Sequence, residues 1–341
     1  MLQSLREALS PVLLGIIAAF AVSFALGPAV IPWLHRLKFG QNVREDGPAS
    51  HLKKQGVPTM GGVAFWAAVA VGCVVPLIFQ PKEARPLAAA AYAYALGNSL
   101  LGFLDDYLKV ARNNSKGLKA KQKLLGQFIL TLGLAGYVHH TLGGGLYLPW
   151  GGVWQLGWWI VPLIILGGIG FTNAGNLLDG LDGLLSTVTA VVCAAMALIL
   201  AALARSVGET DPVLAQKYIG LAIFSGAAAG SCLAFLRVNA HPATLFMGDT
   251  GSMFLGGAIV AVYSLSGLAL LLPLMGALYL VTAASVLLQV GYYKRTKKRI
   301  LRMAPLHHHL ELGGMSEPRI VSMYGIITVV LCLAGILVVS V

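Results

Sequence analysis

Long apolar runs constrain this chain more than any other feature. A helix needs about 20 apolar residues, at 1.5 Å rise each, to cross a hydrocarbon layer about 30 Å thick. Ten such runs lie near residues 11–34, 59–79, 88–104, 124–142, 159–175, 184–204, 218–236, 252–263, 272–291 and 319–341. With 57% hydrophobic and 11% charged residues, against about a quarter charged in a soluble domain, a water-soluble core of this size is excluded. The sequence therefore predicts an all-α, polytopic integral membrane protein with about ten transmembrane helices, organised as one transmembrane domain over residues 1–341. The apolar stretch 252–291 is too long for one span and is divided at Ser264, Ser266, Gly267 and Pro273. The first run is Pro-interrupted and lacks a clear cleavage site, so it reads as a retained helix.

The distribution of charge sets the expected topology. The net charge is +11, and 19 of the 24 Lys and Arg residues fall in or beside alternate connections: 35–58, 105–123, 237–251 and 292–319. Positive-inside bias makes these connections cytoplasmic and puts both termini outside. It also explains the basic charge without a nucleic-acid partner. The Gly- and Trp-rich stretch from Gly143 to Trp159 becomes an external, interfacial loop, and the short link from Asn176 to Gly183 falls inside. The four cysteines, Cys73, Cys193, Cys232 and Cys332, all lie in apolar runs and read as packing residues.

Nine of the thirteen acidic residues lie in the predicted cytoplasmic connections. Ionisable groups at membrane depth are costly and are kept for a partner, an ion or a pathway. Asp105 and Asp106 form an adjacent carboxylate pair at a helix end, with Lys109 one turn beyond Asp105. In the run from Asn173 to Gly183, polar side chains recur at Asn173, Asn176, Asp179 and Asp182, a slowly drifting stripe of amides and carboxylates on a helical turn. A third segment runs from Asn239 and His241 to Phe246-Met247-Gly248-Asp249-Thr250-Gly251-Ser252. Asp249 opens a helix there, so it suits either capping or Mg²⁺, whose preferred ligands are hard oxygens. His307, His308 and His309 follow a basic run and precede Glu311. Three consecutive His residues cannot converge on one metal from a regular helix, but they suit phosphate contacts or proton transfer. His51, Lys53 and Lys54 precede Pro58-Thr59-Met60-Gly61-Gly62; the lysines fit either phosphate binding or topology. Gln289, inside an apolar helix, fits either a ligand contact or a bond to a neighbouring helix.

Together and in this order, these motifs resemble the polyprenyl-phosphate N-acetylhexosamine-1-phosphate transferase superfamily over nearly the whole chain. The Asp105-Asp106 pair and the element from Asn176 to Gly183 are similar to the superfamily at large. Pro58 to Gly62, and Ala304-Pro305-Leu306-His307-His308-His309 with Glu311, are more particular to its muramoyl-pentapeptide branch. Val57 and Leu178 stand where Thr is expected in their motifs. The resemblance implies a multi-pass enzyme of the bacterial inner membrane, active on its cytoplasmic face and surrounded by membrane lipids. It implies transfer of phospho-MurNAc-pentapeptide from UDP-MurNAc-pentapeptide to undecaprenyl phosphate with Mg²⁺, releasing UMP, and assembly as a homodimer. By motif match, Asp249 and Asp106 are the candidate metal ligands, and Asp105, Asp106, Asp249 and His308 the catalytic candidates, with their division of labour left open. Lys54, Thr59, Lys109, Lys121, His307, His308 and His309 are assigned to substrate, Lys109, Lys121 and His308 on phosphates. Asn176, Asp179, Asp182, Asn239, Phe246 and Gln289 are assigned to the nucleotide and sugar side. Two rival readings share some of these features: a sister enzyme moving GlcNAc-1-phosphate onto polyprenyl phosphate, and an ion-coupled membrane transporter.

Overall fold

A computed structural model describes residues 2–36, 56–112, 117–148 and 151–339. Its helices are α1 (Leu2–Arg36), α2 (Val63–Leu77), α3 (Arg85–Ala111), α4 (Ala120–Leu142), α5 (Ile160–Leu178), α6 (Leu184–Val207) and α7 (Pro212–Asn239). They continue with α8 (Gly248–Leu265), α9 (Leu272–Met275), α10 (Ala277–Thr296), α11 (Leu306–Glu311) and α12 (Glu317–Val338). Each of the ten apolar runs overlaps a helix among the described residues, although run 59–79 enters α2 only at Val63 and run 272–291 is divided between α9 and α10. Six helices among the described residues are long and apolar enough to cross a membrane, or seven if the bent pair Ala269–Met275 and Ala277–Thr296 is one span. The other apolar helices are shorter or more polar: α2 has 15 residues, α4 carries Gln127, His139 and His140, and α8 opens with Asp249.

The stretch 252–291 breaks where its turn-forming residues lie. Helix α8 ends at Leu265, Gly267 takes φ +76, and a bend of 74° separates Ala269–Met275 from α10. The Ser266 hydroxyl donates to the Tyr263 carbonyl at 3.1 Å and receives the Leu268 amide at 3.3 Å, satisfying backbone groups that the break leaves open.

Helix α7 runs through the middle of the bundle, with every residue from Tyr218 to Cys232 buried. A helix that is apolar all round belongs in a core. Gly226 and Gly230, four residues apart, face α1, and a Cβ on Gly230 would overlap the Ile16 carbonyl. Small residues at this spacing let two backbones approach where lipid offers no hydrophobic drive between helices. Side-chain hydroxyls add cross-links, from Ser23 to the Ser231 carbonyl at 2.9 Å and from Ser225 to the Cys193 carbonyl at 2.8 Å. All four cysteines are buried free thiols. On the outside, large apolar side chains such as Ile17, Ile129, Leu166 and Leu337 are more than half exposed, a surface suited to acyl chains and not to water.

The fold is all-α as expected, apart from a small element in the connection between α4 and α5. This connection forms an antiparallel hairpin of β1 (Gly145–Tyr147) and β2 (Val153–Gln155), pairing Leu146 with Trp154. The Tyr147 amide donates to the Gly267 carbonyl at 3.0 Å, which seats the hairpin at the α8 C-terminus. Trp154, Trp158 and Trp159 are largely exposed there, as aromatic residues are at a membrane interface. The acidic motifs gather at the opposite end of the bundle, around the C-termini of α3 and α5 and the N-termini of α4 and α8.

Candidate active site

The centre is built where α3 meets α8. Gly102 permits their contact, since a Cβ there would overlap the Asp249 carbonyl. One turn earlier the Ser99 hydroxyl donates to the Thr250 carbonyl at 2.6 Å. The α3 carboxylates therefore reach the start of α8. Asp106 Oδ2 accepts from the Thr250 amide at 2.9 Å and the Thr250 hydroxyl at 2.8 Å, capping α8 from another helix. Asp249 is thus not the cap of its own helix, which has no side-chain cap at Met247.

Asp249 instead faces other elements. Its Oδ1 accepts from Asn176 Nδ2 at 2.7 Å, and its Oδ2 lies 3.2 Å from Lys109 Nζ and 2.9 Å from Lys123 Nζ. Lys109 also sits 2.7 Å from Asp105 Oδ2, the pairing its spacing predicts, and 3.6 Å from Asp106 Oδ1. Asp105 Oδ1 accepts the Leu118 amide at 2.6 Å. Oxygens of Asp105, Asp106 and Asp249 lie within 4.8 Å of one another. Three carboxylates face two ammonium groups, a formal excess of one negative charge in a partly buried setting where Coulomb forces are weakly screened. An all-oxygen donor set with residual negative charge fits a hard divalent cation such as Mg²⁺.

The link after α5 crosses to two further groups. Gly180 packs against the rings of His307 and His308, with His308 Nε2 at 3.0 Å from the position of a Cβ. His308 Nδ1 lies 3.1 Å from Glu311 Oε2. His307 is buried, its ring centroid 4.5 Å from that of His308, whereas His309 Nδ1 accepts the Arg302 amide at 3.1 Å. Asp179 is the half-buried C-cap of α5. Asp182 Oδ2 lies 3.1 Å from His241 Nδ1 and accepts the Ala243 amide at 3.1 Å.

Several residues assigned to substrate spend their polar atoms on the protein. Asn239 is buried, donates to the Leu245 carbonyl at 3.1 Å and accepts from Ser186 at 3.3 Å, so it shapes the loop before α8. Gln289 accepts the Ile300 and Leu301 amides at 3.1 and 3.0 Å and donates to the Leu301 carbonyl at 3.1 Å. It anchors the basic loop that follows its own helix, and the expected bond to a neighbouring helix is not among these contacts. Phe246 is half-buried, its amide bonded to the Pro58 carbonyl at 2.9 Å. Thr59 lies beside Gly248 at the α8 entrance. Lys121 is exposed at the start of α4. Lys54, with His51 and Lys53, lies outside the described residues.

Lys123 and Glu317 are not singled out by motif, and Thr250 and Ser252 stand in the third segment without a role. For Lys123 a signal exists in the helix phase: Gln127 and Thr131 continue its face of α4 at four-residue steps, and both are buried. Lys121 lies off that face.

The comparisons place this apolar helical bundle among membrane-embedded transferases of phosphosugars. Residues 88–267 match the family model described as glycosyl transferase family 4. The chain is 43% identical over 325 residues to a protein of Caldicellulosiruptor bescii, covering 95% of this chain and 96% of that one. It is 42% identical over 330 residues to one of Acetivibrio thermocellus, covering 96% and 95%, and 41% identical over 333 residues to one of Clostridium perfringens, covering 97% and 98%. All three relatives are named phospho-N-acetylmuramoyl-pentapeptide-transferase. The chain belongs to the phospho-N-acetylmuramoyl-pentapeptide-transferase family, within glycosyl transferase family 4.

Proposed function

We propose that this chain transfers phospho-MurNAc-pentapeptide from UDP-MurNAc-pentapeptide to undecaprenyl phosphate at the cytoplasmic face of the bacterial cell membrane, with Mg²⁺ at the acidic centre and as a homodimer. The observation that carries it is the convergence of Asp105, Asp106 and Asp249 with Lys109 and Lys123 at one end of an apolar bundle. A soluble anionic nucleotide must meet a lipid phosphate there, and phosphoryl transfer depends mainly on positioning and charge neutralisation. Asp249 and Asp106 are the residues that would hold Mg²⁺, which when bound neutralises phosphate charge.

In the step we favour, an oxygen of the lipid phosphate attacks the sugar-bearing phosphorus. The bond from that phosphorus to the UMP oxygen breaks, and UMP leaves with the electron pair. The acceptor is mostly dianionic at pH 7, since the second phosphate pKa is about 6, so it needs no strong base. Asp105 or Asp106 orients it, and Lys109 and Lys123 offset repulsion between the two anions. A covalent Asp249 intermediate is disfavoured because a carboxylate paired with Lys109 and Lys123, and one that would also hold Mg²⁺, is a weakened nucleophile. Purified protein given both substrates should release UMP and form the lipid-linked diphosphate, and chelation should stop it until Mg²⁺ is restored. Absence of UMP release under these conditions would overturn the proposal.

A further inference from the structure

The link between α5 and α6 contains Gly180 and Gly183 and has little conformational preference of its own. It is nevertheless held from several directions. Just before it, in the last turn of α5, Asn176 donates to Asp249 Oδ1 at 2.7 Å and Ser252 Oγ at 2.9 Å. In its middle, Gly180 lies against His307 and His308. At its end, the Asp182 amide donates to Glu317 Oε2 at 3.3 Å, while the Asp182 side chain bonds the loop before α8. Glu317 Oε2 also lies 3.8 Å from His241 Nδ1.

Glu317 sits in the first turn of α12 and is only 7% exposed. A first-turn carboxylate gains from the helix dipole while remaining in water. Burying it costs free energy that its bonds must offset. The bond to Asp182 spans 135 residues of sequence, and its target is the backbone of the link that carries Asn176 towards Asp249.

We infer that Glu317 is a positioning residue: from the start of α12 it fixes Asp182 and the 179–183 link, and so sets the last turn of α5, where Asn176 orients Asp249. His241 holds the side-chain half of the same clamp. The inference rests on reading the acidic centre as the reacting centre. For the contact with Asp182 the feature required is the acceptor oxygen, because that partner is a neutral amide; the charge of Glu317 also faces His241 Nδ1 at 3.8 Å.

The test is hydrogen exchange on the purified full-length protein, paired with turnover. In Glu317→Ala the Asp182 amide loses its acceptor, and exchange in a peptide covering 179–183 should rise about tenfold or more. Glu317→Gln keeps an acceptor oxygen at the same reach and should restore both exchange and kcat to within about threefold of wild type. Glu317→Asp keeps the charge but draws the carboxylate back, so it should behave like the Ala variant, and it serves if Glu317→Ala does not fold. Unchanged exchange in Glu317→Ala, or a Gln variant as fast as the Ala variant, overturns the inference. A wild type that shows the protected link but no phosphosugar transfer would instead sink the functional reading and leave the clamp standing.

Discussion

Replacing Lys123 by Met removes an ammonium group while keeping most of the side chain's bulk. Lys123 Nζ lies 2.9 Å from Asp249 Oδ2, with the two side chains 16% and 18% exposed. At an effective dielectric of about 20, a pair at this distance attracts by about 6 kcal/mol. Lys109, at 3.2 Å from the same oxygen, remains and takes up part of the loss. The attraction to Asp249 positions Lys123 in the resting site; its effect on rate comes from the transition-state charge it offsets, about 10²-fold for loss of one positioned donor. The formal charge of the centre moves from minus one to minus two, so a divalent cation should bind more tightly as turnover falls. The assay follows UMP release at saturating substrates while Mg²⁺ is titrated. Lys123→Met should lower kcat by about 10²-fold and shift half-activation to lower Mg²⁺. A kcat within twofold of wild type, or a half-activation shifted to higher Mg²⁺, would refute the electrostatic argument.

Asp249→Asn, nearly isosteric, should reduce turnover by about 10³-fold with the melting temperature little changed; near-normal activity at limiting Mg²⁺ excludes Asp249 as a ligand. Lys121, exposed at the start of α4, should act on encounter, so Lys121→Ala should raise KM for the nucleotide substrate, more at low salt, and leave kcat nearly unchanged. Direct attack requires both substrates together: enzyme stripped of polyprenyl phosphate should not exchange labelled UMP into UDP-MurNAc-pentapeptide, and robust exchange with a trapped adduct on Asp249 or Asp105 would establish the two-step route. An impermeant thiol reagent on sealed cells should label Val153→Cys in the exposed hairpin and not Arg112→Cys at the end of α3; the reverse pattern would invert the topology.

The sequence by itself determined the helices and the direction of the chemistry. Apolar run length and turn-forming residues are local properties, so the helical character of the apolar runs and the break after Leu265 follow from neighbours in the chain, while six or seven of the described helices, not ten, are long and apolar enough to span. The carboxylates were conspicuous because charge is rare in such a chain. The hairpin was missed because each strand has three residues, too few for an alternating pattern to register against a Gly-rich background. What only the tertiary structure decided is which polar groups meet. Asp106 reaches Thr250 across 144 residues of sequence because α3 and α8 pack closely at Gly102. Lys123 rather than Lys121 reaches Asp249 because the phase of α4, fixed by its buried stripe, turns that face inward. Asn239 and Gln289 have the composition of ligand-binding residues, and their amides bond loop backbone, Asn239 at buried Leu245 and Gln289 at Ile300 and Leu301. A side chain's type limits which bonds it can make; the packing of distant helices, which no local pattern encodes, selects the partner.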